Sequence, residues 1–174
     1  CHCVVPLPVF GKSIDMPFRY LDATKKLRKR RVGVPWPQPQ VEQSLSWDGE
    51  LPFEPVEVSH LKNPDKRLRL LHSCNIDMSV HPVWKQRGGE RAALSRWNDF
   101  LTNRLSGYAR RRNNAADPEG VSRLSMAIHY GMISVMKIVR EAHEVGTKAA
   151  EKFLDELLIF REHAWHHVHS KEEP

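Results

Sequence analysis

Ser122 and Ser125 carry the clearest chemistry in this chain. Two hydroxyls three residues apart, after Gly120 and before Met126-Ala127-Ile128-His129-Tyr130-Gly131, describe a loop turning into a helix start. Such a turn holds anions well: first-turn amides lack partners, the helix dipole is positive at that end, and serine hydroxyls add donors. The plainer reading of Ser-x-x-Ser before an apolar run is helix capping. Downstream, Phe153, Leu154, Leu157, Leu158, Arg161, Trp165 and Val168 recur at helical spacing. Arg161 therefore stands among core positions and needs an acid or a bound anion, since burying a lone charge is costly. The acids near it in sequence fall at helix-surface phases, so its counter-charge is expected beyond Pro174. Upstream, Leu94, Trp97, Leu101, Leu105, Tyr108 and Arg112 share one helix face and end it on two polar groups.

The elements that would position these residues follow from breakers and periodicity. Gly88-Gly89 permits a turn before a helix over 90–112. A connector over 113–121 contains Asp117-Pro118 and Gly120. Ser134 caps a helix to about 143, and Gly146-Thr147 separates it from a last helix to about 169. No strand is expected after residue 90. The run Val4-Val5-Pro6-Leu7-Pro8-Val9-Phe10 reads as a buried strand leaving a sheet. Phe18, Tyr20, Leu21 and Ala23 precede the basic run Lys25-Lys26-Leu27-Arg28-Lys29-Arg30-Arg31 in an amphipathic helix, whose charges are a solvated helix end or a nuclear address. Residues 34–64 are rich in proline with little periodicity, which marks an extended connector between two domains.

A net charge of +6 and a pI near 9.4 suit a protein that meets a polyanion, because Lys and Arg supply the sequence-independent part of phosphate binding. No apolar run approaches the roughly 18 residues of a membrane helix. Three cysteines form no disulfide framework, which favours a reducing compartment: chloroplast, nucleus or cytoplasm. Cys1-His2-Cys3 has no second ligand pair at zinc spacing, and His163 and His167, four apart, read as surface groups of a helix end, so no metal is expected.

Taken together, Gly88-Gly89-Glu90, Phe100-Leu101, Leu105, Tyr108, Arg112-Asn113, Gly120, Ser122-x-Leu124-Ser125 and His129-Tyr130-Gly131-Met132-Ile133-Ser134 resemble the start of the FAD-binding domain of DNA photolyases and cryptochromes. The run from Phe153 through Arg161-Glu162-His163-Ala164 is most similar to class II photolyases and their plant photolyase-like relatives. The resemblance is dense over 79–167 and thin before that. It implies a mainly α fold, in which a partial helical FAD-binding-type domain (77–174) follows a remnant of an α/β Rossmann-like antenna domain (1–33) and an extended linker (34–76). It also implies FAD as cofactor, held by Tyr108, Ser122, the backbone amides of Arg123 and Leu124, and Ser125, with Arg161 below the flavin and Glu156 and Glu162 nearby. DNA containing pyrimidine dimers is the implied partner, with Arg110, Arg111 and Arg112 as a basic rim for its phosphates.

The activity implied is that of a deoxyribodipyrimidine photolyase, a carbon–carbon lyase in which excited reduced flavin gives an electron to a dimer flipped from the duplex. Several positions depart from the pattern. Val121 stands where relatives often carry threonine, Met126-Ala127 replaces a common Pro-Tyr, Phe160 replaces the first of two arginines, and His163 replaces a leucine. These departures favour the alternative, a cryptochrome-like photoreceptor or a non-catalytic photolyase-like interaction protein. Under the same resemblance the rest of the helical domain is missing from these 174 residues, which alone are expected neither to hold FAD tightly nor to repair DNA.

Overall fold

Pro17 opens the first helix of the computed structural model, which describes residues 3–7, 14–34, 40, 49–55, 57–81, 83 and 85–170. This helix, α1 (Pro17–Gly33), buries Tyr20, Thr24 and Arg28 at four-residue steps, so one stripe faces inward. Thr24 Oγ1 donates to the Tyr20 carbonyl (2.7 Å) and Arg28 Nη2 to that of Leu21 (2.9 Å), which lets polar side chains line that stripe. Phe18 is exposed rather than part of it, and Lys25, Lys26, Lys29 and Arg30 face solvent.

The chain divides into two compact units, Cys1–Trp36 with Arg87–Pro174, and Pro37–Gln86. In the second, a 3-10 turn (Val58–Lys62) leads into α2 (Pro64–Ser73), a helix the proline-rich composition does not anticipate. Asn63 starts it: its Oδ1 accepts from the amides of Asp65 (2.9 Å) and Lys66 (3.2 Å), and Pro64 fits the first turn, where no amide is needed. None of the residues of α2 is buried.

The first unit carries the remaining helices. α3 (Glu90–Asp99) continues through a π-helical turn (Phe100–Arg104) and a 3-10 turn (Leu105–Gly107) into α4 (Tyr108–Arg111). After a connector come α5 (Ser125–His129) and α6 (Val135–Val145). α7 (Lys148–Asp155) runs through a second π-helical turn (Glu156–Phe160) into α8 (Arg161–His169). Ser134 accepts from the Lys137 amide (3.4 Å) and Thr147 from that of Ala150 (3.3 Å), while Gly146 takes the left-handed conformation (φ 62°) that ends α6. The helices expected over 90–112, from Ser134 and up to about 169 are therefore present, and no strand occurs among the described residues. Their core joins Ile138, Val139 and Ala142 of α6 to an aromatic cluster of Trp97, Phe100, Tyr108 and Phe153, with Phe100 and Phe153 ring centroids 5.2 Å apart.

Two expectations are corrected here. Residues 4–7 of the expected strand are bends and a turn; residues 8–10 lie outside the described part. The amides of Val4 and Val5 point to the same acceptor, the Glu162 carboxylate, at 2.5 and 3.1 Å, whereas consecutive amides of a strand point to opposite sides. The apolar stripe of the last helix also does not continue through Arg161, Trp165 and Val168. Glu162 and His166 are buried instead, Trp165 is 40% exposed and Val168 71%. A π turn inserts an extra residue and so rotates everything after it by about 100°. The same device moves the upstream stripe from Leu101 to Phe100 before it resumes at Leu105 and Tyr108.

Candidate functional site

Ser122 and Ser125 sit on a connector held from three sides. Arg96 of α3 donates its Nε–H to the Ser122 carbonyl (3.1 Å). Glu119 pairs with Arg96 (3.2 Å), Arg104 and Arg123 (3.8 Å), tying the connector to the first helical rod. Arg111 grips Asp117 through two bonds (2.6 and 2.9 Å), and Gly120 packs so closely on the Arg111 backbone that an added Cβ would come within 2.9 Å of its carbonyl oxygen. Leu124 then anchors the turn in the core. Arg123 between the serines has φ 54°, the single positive value outside glycine among the described residues.

That turn opens on a cleft of about 560 Å³, within the range of small-molecule and cofactor pockets. Tyr108, Ser122, Ser125, Glu156 and Arg161 all line it, joined by His129. Met126, Phe153, Leu157 and Trp165 form its apolar walls. Among the described residues neither serine hydroxyl makes a hydrogen bond, and α5 has no side-chain cap. Helix capping therefore does not explain the Ser-x-x-Ser pair. The dipole argument does not survive either, because α5 spans five residues and sums too few peptide dipoles. What remains is a pair of hydroxyls free for a ligand.

The charged members are balanced at one end of the cleft. Glu156 pairs with Arg112 (2.8 Å) and Lys152 (3.1 Å), so its carboxylate does not confront an anion unneutralised. Tyr108 is buried among them. Burial and the Glu156 carboxylate push its phenol above the ordinary value, against the Arg112 guanidinium, so it stays a neutral donor. Arg161 lies with its guanidinium 6.0 Å from the Trp165 ring and meets the Cys3 thiol and the neighbouring Glu162 charge. Arg123 and Leu124 do not line the cleft with their side chains. Of the proposed basic rim, Arg111 and Arg112 are engaged by Asp117 and Glu156, and Arg110 is exposed.

Beside the cleft is a polar cluster that periodicity hid. Glu162 is fully buried; burial pushes its carboxyl up to about 7, opposed by the Val4 and Val5 amides and by Arg161 and Arg28. Cys3 is pushed up to about 11 by burial and by Glu162. Tyr20 lies 5.4 Å from the His166 ring and 5.6 Å from that of His163, whose Nε2 meets the Ile14 carbonyl at 2.5 Å. His163 is therefore a packing group rather than the surface histidine expected, and His166 beside it is buried.

No protein-family model matches the chain. A deoxyribodipyrimidine photo-lyase of Arabidopsis thaliana is 35% identical over 77 residues, 42% of this chain and 16% of that protein. Proteins of the same name from Oryza sativa subsp. japonica and Methanothermobacter thermautotrophicus are 30% identical over 131 residues and 29% over 135. Those matches cover 71% and 67% of this chain, and 24% and 30% of the relatives. Over the matched stretches the chain is similar to the photolyase family. It spans less than a third of each of these photolyases. Among the described residues, no helix is long and apolar enough to cross a membrane.

Proposed function

We propose that the cleft holds the diphosphate of FAD and that the chain is part of a photolyase-like flavoprotein acting by light-driven electron transfer to pyrimidine dimers in DNA. One observation carries the cofactor reading: two serine hydroxyls without partners among the described residues line the same cleft as Tyr108 and Arg161. The donor set fits a diphosphate, since short neutral donors from a braced turn plus one guanidinium match two negative charges, and the apolar walls suit an aromatic ring system. When bound, the flavin would supply the electron chemistry. The residues here orient and desolvate. Ser122 and Ser125 donate to phosphate oxygens, with the Arg123 and Leu124 amides beside them. Tyr108 donates from a buried phenol, and Arg161 adds the positive charge. Glu156 stays neutralised by Arg112 and Lys152, which keeps its carboxylate from repelling the anion. Arg110, beside the engaged Arg111 and Arg112, is the residue of that rim left exposed for a DNA phosphate.

A second reading, a cryptochrome-like photoreceptor or a non-catalytic photolyase-like interaction protein, draws on one position. Phe160, where the related pattern has the first arginine, is 49% exposed and offers no charge to a substrate. Titration with FAD, followed by flavin fluorescence, tests the cofactor reading. Because most of each relative lies outside the match, we expect the 174 residues alone to bind weakly, above about 1 μM. Each serine changed to alanine should weaken binding about tenfold, the worth of one hydrogen bond to a charged group. Unchanged affinity in the Ser122→Ala/Ser125→Ala protein would remove the cleft from consideration. Repair of dimer-containing DNA under blue light by the full-length protein separates the two functional readings.

A further inference from the structure

Helix α8 gathers three separate stretches of chain on its inner side. Glu162 receives the Val4 amide on Oε1 (2.5 Å) and the Val5 amide on Oε2 (3.1 Å), His163 meets the Ile14 carbonyl, and His166 packs on Tyr20. Glu162 does not line the cleft, but its neighbour Arg161 does. Arg161 also hydrogen-bonds with the side chain of Cys3, the residue just before the clamped pair. Cys3, Val4 and Val5 are all nearly or fully buried, so this contact is packed on every side. A buried carboxylate is a poor choice for stability alone, since apolar residues of similar volume often serve better. It is a good choice for position, because two consecutive amides on its two oxygens fix the direction of the peptide they belong to. An arginine has many rotamers, and a site that needs one of them must restrict the others through neighbouring groups.

We propose that Glu162 is a positioning residue for the cleft: by clamping residues 3–5 it holds Cys3 against Arg161 and keeps the guanidinium where diphosphate oxygens would bind. This rests on the flavin reading above. The experiment is a double-mutant cycle read by FAD affinity, together with hydrogen exchange of the Val4 and Val5 amides by NMR. Glu162→Gln keeps the side-chain shape but replaces one acceptor oxygen with a donor. It should speed exchange of both amides and weaken FAD binding about tenfold. In an Arg161→Ala background the same substitution should speed exchange but leave affinity unchanged, because the route to the ligand is already cut. Cys3→Ala, which leaves the carboxylate alone, should reproduce the affinity loss and answers the case in which Glu162→Gln fails to fold. Equal affinity losses in both backgrounds would reduce Glu162 to general stability and overturn the proposal, as would unchanged exchange. If wild-type protein binds no FAD at any concentration, the flavin reading and this inference fall together. If it binds, and the serine substitutions weaken it while Glu162→Gln and Cys3→Ala do not, the inference falls alone.

Discussion

The two helical rods that flank the cleft, residues 90–111 and 148–169, share one irregularity and use it differently. Each passes through a five-residue π turn, Phe100–Arg104 in the first and Glu156–Phe160 in the second. In the first, Phe100 at the start of the turn and Leu105 and Tyr108 after it all face inward, and the core stays apolar to the last ring. In the second, the rotation brings Glu162 and His166 inward and turns Arg161 and Trp165 toward the cleft. One rod therefore owes its place to packing and the other partly to a buried carboxyl group. Backbone irregularities of this kind occur often at functional sites because they re-aim side chains without ending the helix.

If that contrast is right, the largest effect belongs to the apolar rod. Phe100 is fully buried against Trp97, Tyr108 and Phe153. Phe100→Ala should cost about 3–5 kcal/mol by lost transfer and cavity formation, equally at pH 5 and pH 8. Urea denaturation at the two pH values measures both statements, and a cost that changed with pH would blur the distinction between the rods.

The polar rod should respond to pH instead. Folded, Glu162 keeps its proton up to about pH 7, while the unfolded chain releases it near the ordinary 4.5. Between those values the folded state binds more protons than the unfolded one, so stability falls as pH rises. It is fully present below 4.5, is lost through the folded value of about 7 and is flat above. The full span corresponds to roughly 3 kcal/mol. The groups facing this carboxyl are Cys3, Tyr20, Arg28 and Arg161. Cys3 and Tyr20 are both raised and stay neutral across the window. Glu162→Gln should flatten the slope between pH 5 and pH 7.5, and Phe100→Ala should leave it intact. An unaltered slope in Glu162→Gln would assign the pH dependence elsewhere.

These two rods also mark how far the amino-acid sequence could be read. Helix spans were legible, because Gly88-Gly89, Ser134 and Gly146-Thr147 are breakers and caps whose chemistry is local. The convergence of Tyr108, Ser122 and Ser125 on one cleft was legible in their placement at one helix end and the next helix start. The inner face of α8 was not: periodicity assumes a constant 3.6 residues per turn, and nothing local in Glu156-Leu157-Leu158-Ile159-Phe160 announces a wider one. Glu162 consequently read as a surface acid. The bend at residues 3–7 was hidden for a related reason, because its amides are satisfied by a carboxylate 157 and 158 residues away.

The smallest expected effect tests the turn that leads from the first rod into α5. Ser122 and Ser134 are both serines ahead of helices, and a sequence rule treats them alike. Ser134 Oγ accepts from the Lys137 amide, so Ser134→Ala removes a cap and should cost about 1 kcal/mol. The hydroxyls of Ser122 and Ser125 bond nothing among the described residues, so removing either leaves no described group unsatisfied. Their alanine variants should stay within about 0.5 kcal/mol of wild type in thermal or urea unfolding. The turn itself is held by Arg96, Glu119 and Leu124, none of which depends on those hydroxyls. Stability without cost, set beside the tenfold loss of FAD affinity expected per hydroxyl, is the pattern of residues kept for a ligand. A loss of 1 kcal/mol or more in Ser125→Ala would instead make it an ordinary cap, and would leave Ser122, Tyr108 and Arg161 as the donors proposed for the diphosphate.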